Sequence, residues 1–217
     1  GEPGGNIRVA FLFNPARVSF VDRVGGTPTA SNVVVDVAGK PQLQYSPGRL
    51  NPTNPAFNAS RKPLAGEFVF KGNRLFVIAN HFNSKGGDGA LFGRNQPPTL
   101  TTEVQRNLQA SIVGEFVQDI LALDAAAKVV VLGDLNDFEF SNPLDILKAV
   151  GLTPLVETLP PEERYTYVFE GNSQVLDHIM ASGGLMSAKV APQYDVVHIN
   201  AEFADQTSDH DPEVASF

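Results

Sequence analysis

The sequence predicts an α/β (α+β) chain in which strands, several paired as hairpins, alternate with a few inserted helices. Three observations carry this. Short β-rich apolar runs recur between glycine- and proline-containing breaks, and two pairs of them read as hairpins. One long amphipathic stretch and one short one interrupt the strands. The 217 residues, 42% of them hydrophobic, suffice for one large domain with a substantial core. Hairpins mixed with inserted helices argue for a sandwich rather than a doubly wound parallel sheet.

Gly1 to Asn6 is a polar, glycine-rich lead-in, and Ile7 to Phe13 alternates weakly and reads as a strand. Asn14-Pro15 ends it, and Val18 to Val21 is expected to pair back on it. Asn32 to Val37 is a further β-rich piece. Pro41 to Pro63, with five prolines, reads as a long irregular loop. Leu64 to Phe70 and Arg74 to Ala79 flank Lys71-Gly72-Asn73 as a hairpin whose second strand is central. Asn80 to Leu100 is a second long loop, rich in glycine.

A helix from Thr101 or Thr102 to about Leu123 follows, with Glu103 in its first turn. Its inner stripe is predicted as Val104, Leu108, Ser111/Ile112, Glu115/Phe116, Ile120 and Leu123, with Arg106, Gln109 and Gln118 off it. Val129 to Leu132 reads as a strand buried on both faces. Pro143 to Val150 is a short helix capped by Ser141 or Asn142 and stopped by Gly151. Tyr165 to Phe169 and Val175 to Ala181, around Gly171-Asn172, form the second hairpin, and Val196 to Ile199 is the expected last strand. No internal repeat, linker or domain boundary is visible.

Charge narrows the chemistry. A net charge of -8 gives no overall attraction to nucleic acid or an anionic membrane, so an anionic substrate must be caught locally. With no cysteine, disulfides and thiolate metal sites are excluded. Oxygen and imidazole ligands remain, and they favour Mg²⁺, Mn²⁺ or Ca²⁺. No apolar run is long enough to span a bilayer, and no signal peptide is visible, although the chain starts as if internally.

Four polar clusters each follow a predicted strand. Asn80-His81-Phe82-Asn83-Ser84-Lys85-Gly86-Gly87-Asp88 places a histidine at a strand end and a lysine in a glycine loop open to an anion. Its plainer readings are a packed histidine and a solvated lysine. In Gly133-Asp134-Leu135-Asn136, period two sends the acid and the amide the same way, into a pocket or into a solvated turn. Asp177 lies inside an apolar strand, opposite in facing to Leu176 and His178, and needs a partner. Ser208-Asp209-His210-Asp211-Pro212 sets an imidazole between two acids, or is simply an acidic turn. A carboxylate that orients an imidazole makes it a proton carrier, and Asp177 is the expected partner of His210.

Together, His81, Gly133-Asp134-Leu135-Asn136, Asp177 and Ser208-Asp209-His210, in this order, resemble the endonuclease/exonuclease/phosphatase superfamily, the DNase I-like phosphoesterases. The lysine-glycine loop after His81 and the run from Tyr165 to Asp177 are most similar to its bacterial secreted nucleases. The resemblance implies a four-layer α/β sandwich of two mixed β-sheets flanked by helices. It implies hydrolysis of phosphodiesters, most of all in DNA or RNA, with Mg²⁺, Mn²⁺ or Ca²⁺, outside the cytoplasm or in the periplasm. By the same match, His210 is the general base or proton carrier, oriented by Asp177. Asp134 positions or activates water, Asn136 holds the phosphate or a metal-bound oxygen, and His81 donates to the phosphate. Asp209, with Asp134 and Asn136, serves the metal, while Arg61, Asn83 and Lys85 contact the substrate. The alternatives within the fold are a phosphomonoesterase and a lipid or inositol phosphodiesterase; absence of an exposed aromatic hairpin is expected to count against lipid. Outside catalysis, the alternative is a module that keeps the fold as a binding surface.

The match departs at its start. The family's first strand and its Gln-Glu pair, whose glutamate is the main metal ligand, have no counterpart here: Glu2 sits in a glycine loop and Asp22 in the wrong context. Asn14-Pro15 stands where the family carries an arginine. Residues 1-217 therefore read as the larger, C-terminal part of one domain, expected to be inactive alone or to hold metal poorly.

Overall fold

The computed structural model describes residues 7–186 and 191–217; the glycine-rich lead-in lies outside them. The order is β1 (Ser19–Phe20), β2 (Val34–Val37), β3 (Lys40–Leu43), β4 (Gly48–Arg49), β5 (Leu64–Phe70), β6 (Asn73–His81), α1 (Glu103–Leu123), β7 (Lys128–Asp134) and α2 (Asn142–Ala149). Then come β8 (Leu152–Pro154), β9 (Tyr167–Phe169), β10 (Asn172–Gln174), β11 (Asp177–Ser182), α3 (Gly183–Met186), β12 (Gln193–Val196) and β13 (Glu213–Ser216).

A seven-stranded mixed sheet runs β1-β5-β6-β7-β11-β8, with β4 also on β5. Only β6 and β7 pair in parallel, because α1 carries the chain back between them; the hairpin and the remaining neighbours are antiparallel. The β5–β6 turn is the two-residue Lys71-Gly72, with φ of 47° and 76°, the left-handed pair that a tight hairpin requires.

α1 and α2 cover one face of this sheet. Phe76, Ile78, Val129 and Val131 point into that layer, against Val113, Val117, Ile120, Leu144 and Leu147. Val130 and Ala181 point the other way, where Leu155, Leu185 and the β12–β13 pair pack. β7 is thus buried on both faces, as its apolar run requires. Among the described residues no helix is long and apolar enough to cross a membrane.

Several local expectations are corrected. Ile7–Phe13 forms no strand: instead of pairing, Phe11 and Phe13 lay their rings edge-on to Phe68 at 5.5 and 5.7 Å. β1 therefore pairs with β5 rather than back on that segment. The proline-rich stretch is less irregular than expected, since it contributes β3 and β4 and buries Leu43, Leu50 and Phe57. The second hairpin is β9–β10, and β11 is a separate strand of the main sheet. The last strand is β13, paired with β12, and Val197–Ile199 lie after β12 rather than in a strand.

The inner stripe of α1 is rotated around the helix from the expected one, sharing only Phe116 and Ile120 with it. Arg106, Gln109, Ala110, Val113, Phe116, Val117 and Ile120 face inward, while Val104 and Leu108 are exposed. Periodicity counted the two polar residues as outward, but the structure buries them because each finds buried partners. Gln109 donates to Ala56 O (2.8 Å) and Ser60 Oγ (3.0 Å) and accepts from Asn83 N (2.8 Å). On β5, Glu67 is buried for the same reason: Arg23 (2.6 Å) and Arg74 (2.9 Å) neutralise it, and Leu43 N donates to it at 3.2 Å.

Candidate active site

Sheet register builds the centre. His81 at the end of β6 and Asp177 at the start of β11 both lie opposite Asp134 at the end of β7, one on each side. Neighbouring strands sit about 4.8 Å apart, so three chemically active side chains meet without any loop having to fold precisely. His81 Nε2 is 3.2 Å from Asp134 Oδ2. Just before Asp134, Gly133 has φ of 118°, and a Cβ there would lie 2.1 Å from Asn80 O, so only glycine lets the strands close.

Asn136 reaches Asp134 through a turn, with φ of 52°, rather than along an extended strand. Its backbone N–H donates to Asp134 Oδ1 (2.8 Å), and its Nδ2 donates to Asp134 Oδ2 (3.0 Å) and Phe82 O (3.2 Å). With both amide hydrogens spent, the oxygen is the atom left for a ligand, and an oxygen suits a cation rather than a phosphate oxygen.

His210 arrives from the far end of the chain. Tyr167 and His210 form an isolated antiparallel bridge, and Asp211 N donates to Thr166 O at 2.7 Å. Thr166 Oγ1 in turn accepts from Leu176 N and Asp177 N, both at 3.1 Å. These bonds seat His210 Nδ1 2.6 Å from Asp177 Oδ2, with the Tyr167 ring 4.8 Å away. One ligand-capable atom from each of Asp134, Asp177 and His210 lies within 4.8 Å of the others.

The electrostatics follow from burial and crowding. Burial first, then the charge of Asp177, pushes Asp134 up to about 7, against the pull of His210 and Arg61. Burial opposes protonation of His210, but the hydrogen bond and charge of Asp177, with Asp134 and Asp209, push it up to about 9. Burial, with the charges of Arg61 and His210, brings His81 down to about 4. At neutral pH His210 is therefore an imidazolium, while His81 is neutral.

Arg61 donates to Phe82 O and its charge is felt by both Asp134 and His81, which places it at the rim. Asp209 is exposed; its charge acts on His210 and Tyr167, but it is outside the three-residue group. Asn83 is held by Gln109 through its backbone. Lys85 is engaged elsewhere: its Nζ bonds Asp137 Oδ1 at 2.9 Å and lies 4.4 Å above the Phe138 ring.

Sequence reasoning missed the support of this centre. Arg106, 0% exposed, donates from Nε to Asp137 Oδ2 (2.7 Å) and from Nη2 to Asp88 Oδ2 (3.1 Å), and caps Ser84 O (3.3 Å). The Asp137 carbonyl meets His178 Nε2 at 2.8 Å, tying the residue after Asn136 to the residue after Asp177. Asp211 accepts from Ile199, Asn200 and Ala201 N–H groups and pairs with His198 at 3.0 Å. Burial would raise Asp211, but these bonds hold it below the usual carboxylate range. The signal for both was polar residues inside otherwise apolar or turn-rich runs.

A match to the model of the Endonuclease/Exonuclease/phosphatase family spans residues 44–211 and contains every residue of the centre. The chain belongs to this family. Solved structures agree on the fold. A functionally unknown conserved protein from Enterococcus faecalis superposes with a TM-score of 0.57 at 14% identity, covering 94% of this chain and 68% of its own. Humanized D. rerio TDP2 gives 0.53 at 18%, covering 90% and 65%. The 3′ phosphatase NExo from Neisseria gives 0.53 at 20%, covering 76% and 66%. The chain spans 65%, 56% and 66% of the lengths of TDP2, a Streptomyces griseocarneus sphingomyelinase C and NExo respectively. No match is found among curated proteins.

One half-buried acid of this family member lies outside the centre and gives a stability test. Glu213 on β13 accepts from Tyr194 on β12, and burial, with the charge of Asp177, pushes it up to about 8. A raised carboxyl contributes stability that is full below its unfolded value and lost as pH rises through the folded one. For Glu213 that window runs from the ordinary 4.5 to about 8. The thermal midpoint in EDTA is expected to fall across this window, and Glu213→Gln to flatten the fall. An unchanged slope in the variant would show that Glu213 is ionised throughout.

Proposed function

We propose that this chain carries the hydrolytic centre of a divalent-cation-dependent phosphoesterase that cleaves phosphodiesters in nucleic acid. The observation that carries the proposal is the meeting of His81, Asp134, Asp177 and His210 at adjacent strand ends. Phosphoryl transfer needs positioned groups and charge stabilisation more than covalent chemistry, and this centre supplies both.

His210, held protonated by Asp177, gives a proton to the leaving oxygen. Asp134, raised into the neutral range by burial and Asp177, takes the proton of the attacking water. Neutral His81 and Arg61 face the phosphoryl oxygens. Oxygen donors of the same centre would hold a hard cation: the Asp134 carboxylate and the amide oxygen of Asn136 beside it, while Asp209 lies exposed outside the group. When bound, such an ion adds positive charge at the phosphoryl oxygens and lowers the pKa of its water. His210 is reserved for the proton, since an imidazolium cannot ligate.

One relative supports the nucleic-acid reading, since NExo is a 3′ phosphatase seen with a product DNA hairpin, and another supports the lipid alternative, since the Streptomyces protein is a sphingomyelinase. One observation keeps the lipid reading open. The expected absence of an exposed aromatic hairpin is not met, because the β9–β10 hairpin carries Phe169, 50% exposed at the end of β9. A location outside the cytoplasm rests on the likeness of the Lys85 loop to secreted nucleases.

A substrate panel tests the proposal: plasmid DNA, single strands, RNA, sphingomyelin and inositol phosphates. Turnover of a nucleic acid is expected only at high Mg²⁺ or Mn²⁺, since the chain is expected to hold metal poorly, with loss in EDTA and recovery on adding the ion back. Turnover that ignores EDTA, or a preference for sphingomyelin, would overturn the corresponding part.

A further inference from the structure

Segments adjoining the centre in the chain line a cleft of about 310 Å³, three of them forming its walls and Arg164 contributing as a fourth. One wall is Phe138, Glu139 and Phe140, which follow Asn136 and Asp137 directly; another is the Gly171–Val175 turn and strand, which end two residues before Asp177. The third is Leu91 and Phe92 from the loop after β6. Its volume is at the small end of pockets that take organic ligands.

Three features show what the cleft is built to receive. Phe92 is 76% exposed and Phe140 is 72% exposed, an expensive arrangement for side chains with no occupant. The Phe140 ring is not free to collapse inward, because it stacks on Phe138 at 5.3 Å with an interplanar angle of 23°. Phe138 is itself fixed beneath the Lys85 ammonium, which Asp137 holds at 2.9 Å. The result is a rigid ladder of Lys85, Phe138 and Phe140 that ends in an open aromatic face. The second feature is charge. Glu139 and Arg164 both line the cleft, and the guanidinium is already bonded to Leu159 O and Glu157 O (both 2.8 Å), so the lining carries no net charge and suits a neutral planar group better than a phosphate. The third is polarity at the rim, where Asn172, Ser173 and Gln174 can meet heteroatoms at the edge of a ring.

We propose that this cleft is a base-stacking subsite, in which an unpaired nucleobase of the substrate lies against Phe140 while the adjoining phosphate occupies the centre. This deepens, and rests on, the hydrolytic reading above. An unpaired base is the better fit, because outside the stack both of its faces are free to meet a ring. The subsite also answers the charge problem: a chain of net charge -8 gains little from the backbone of its substrate, so affinity must come from stacking.

The test compares two probes of equal length and charge in Mg²⁺. One is a single-stranded phosphorothioate oligodeoxynucleotide; the other is its fully abasic copy. Fluorescence anisotropy on the full chain is expected to show the base-bearing probe binding about 5- to 100-fold more tightly, the range of one stacked base. Phe140→Ala and Phe92→Ala should bring that ratio close to one, and Phe140→Tyr, which keeps the ring, should preserve it. A ratio near one in the unaltered chain overturns the inference, as does a ratio that both alanine variants retain. So does loss of sphingomyelin-vesicle binding in Phe140→Ala with the ratio intact, which would assign the rings to a membrane. Hydrolysis of bis(p-nitrophenyl) phosphate, which carries no base, reports on the centre separately. Metal-dependent turnover of it with a ratio near one sinks the subsite alone; no turnover with a high ratio sinks the hydrolytic reading alone.

Discussion

Replacing Arg106 with methionine is expected to destabilise the protein by about 3–5 kcal/mol, read as a lower midpoint in urea. Methionine has similar reach and fills the space, so the loss is not one of volume. It comes from stranding the carboxylates of Asp137 and Asp88, which lie 1% and 5% exposed beside the guanidinium. Lys85 remains beside Asp137 and compensates in part. Arg106→Lys should recover only a fraction, because an ammonium cannot span Asp137, Asp88 and Ser84 O together. A change below about 1 kcal/mol would mean that the two acids are protonated or hydrated in the variant. The substitution should also weaken turnover in the molecules that stay folded, since Asp137 is joined to both arms of the centre.

The largest effect on chemistry is expected from Asp177→Asn. The amide is nearly isosteric, so His210 stays in place, but the carboxylate charge that holds its proton is gone. Turnover should fall by about 10²- to 10⁴-fold, the usual contribution of a positioned proton carrier. The pH profile tells more than the rate. In the unaltered chain the proton-donating form of His210 persists up to about 9, so the rate should fall only as pH rises through that value. Without Asp177, the falling limb should move down toward the ordinary 6.5. A lower rate with the limb unmoved would assign the alkaline limb to another group. His210→Ala should remove the limb altogether, and that variant distinguishes a lost proton from a lost fold if its thermal midpoint is unchanged.

The parts of this architecture that were legible in the sequence are those where a local pattern is sufficient. Val129 to Leu132 could only be a strand covered on both sides, and the Lys71-Gly72 turn left the chain no choice but a hairpin. The centre was legible for a related reason: polar residues at the ends of apolar strands have few places to go except together. What stayed hidden depends on partners distant in the chain. Arg106 and Gln109 look outward by periodicity and point inward because Asp137, Asp88 and Ser60 meet them there. Ile7–Phe13 has the alternation of a strand, but its aromatic rings found Phe68 before its backbone found a neighbour. Val197–Ile199 lost strand geometry to Asp211, whose carboxylate gathers three consecutive N–H groups. Thr166 carries no sequence mark, although it joins the backbone around Asp177 to that around His210.

The glycine-rich loop after β6 has the composition of a flap, yet it is stitched at both ends. Asp88 accepts from Thr102 N at 2.7 Å, Gly89 N donates to Thr99 O at 2.7 Å, and Arg106 grips Asp88 and Ser84 from beneath. Tied down in this way, the base of the loop is not built to swing, so Leu91 and Phe92 should offer a ligand a fixed edge rather than a closing one.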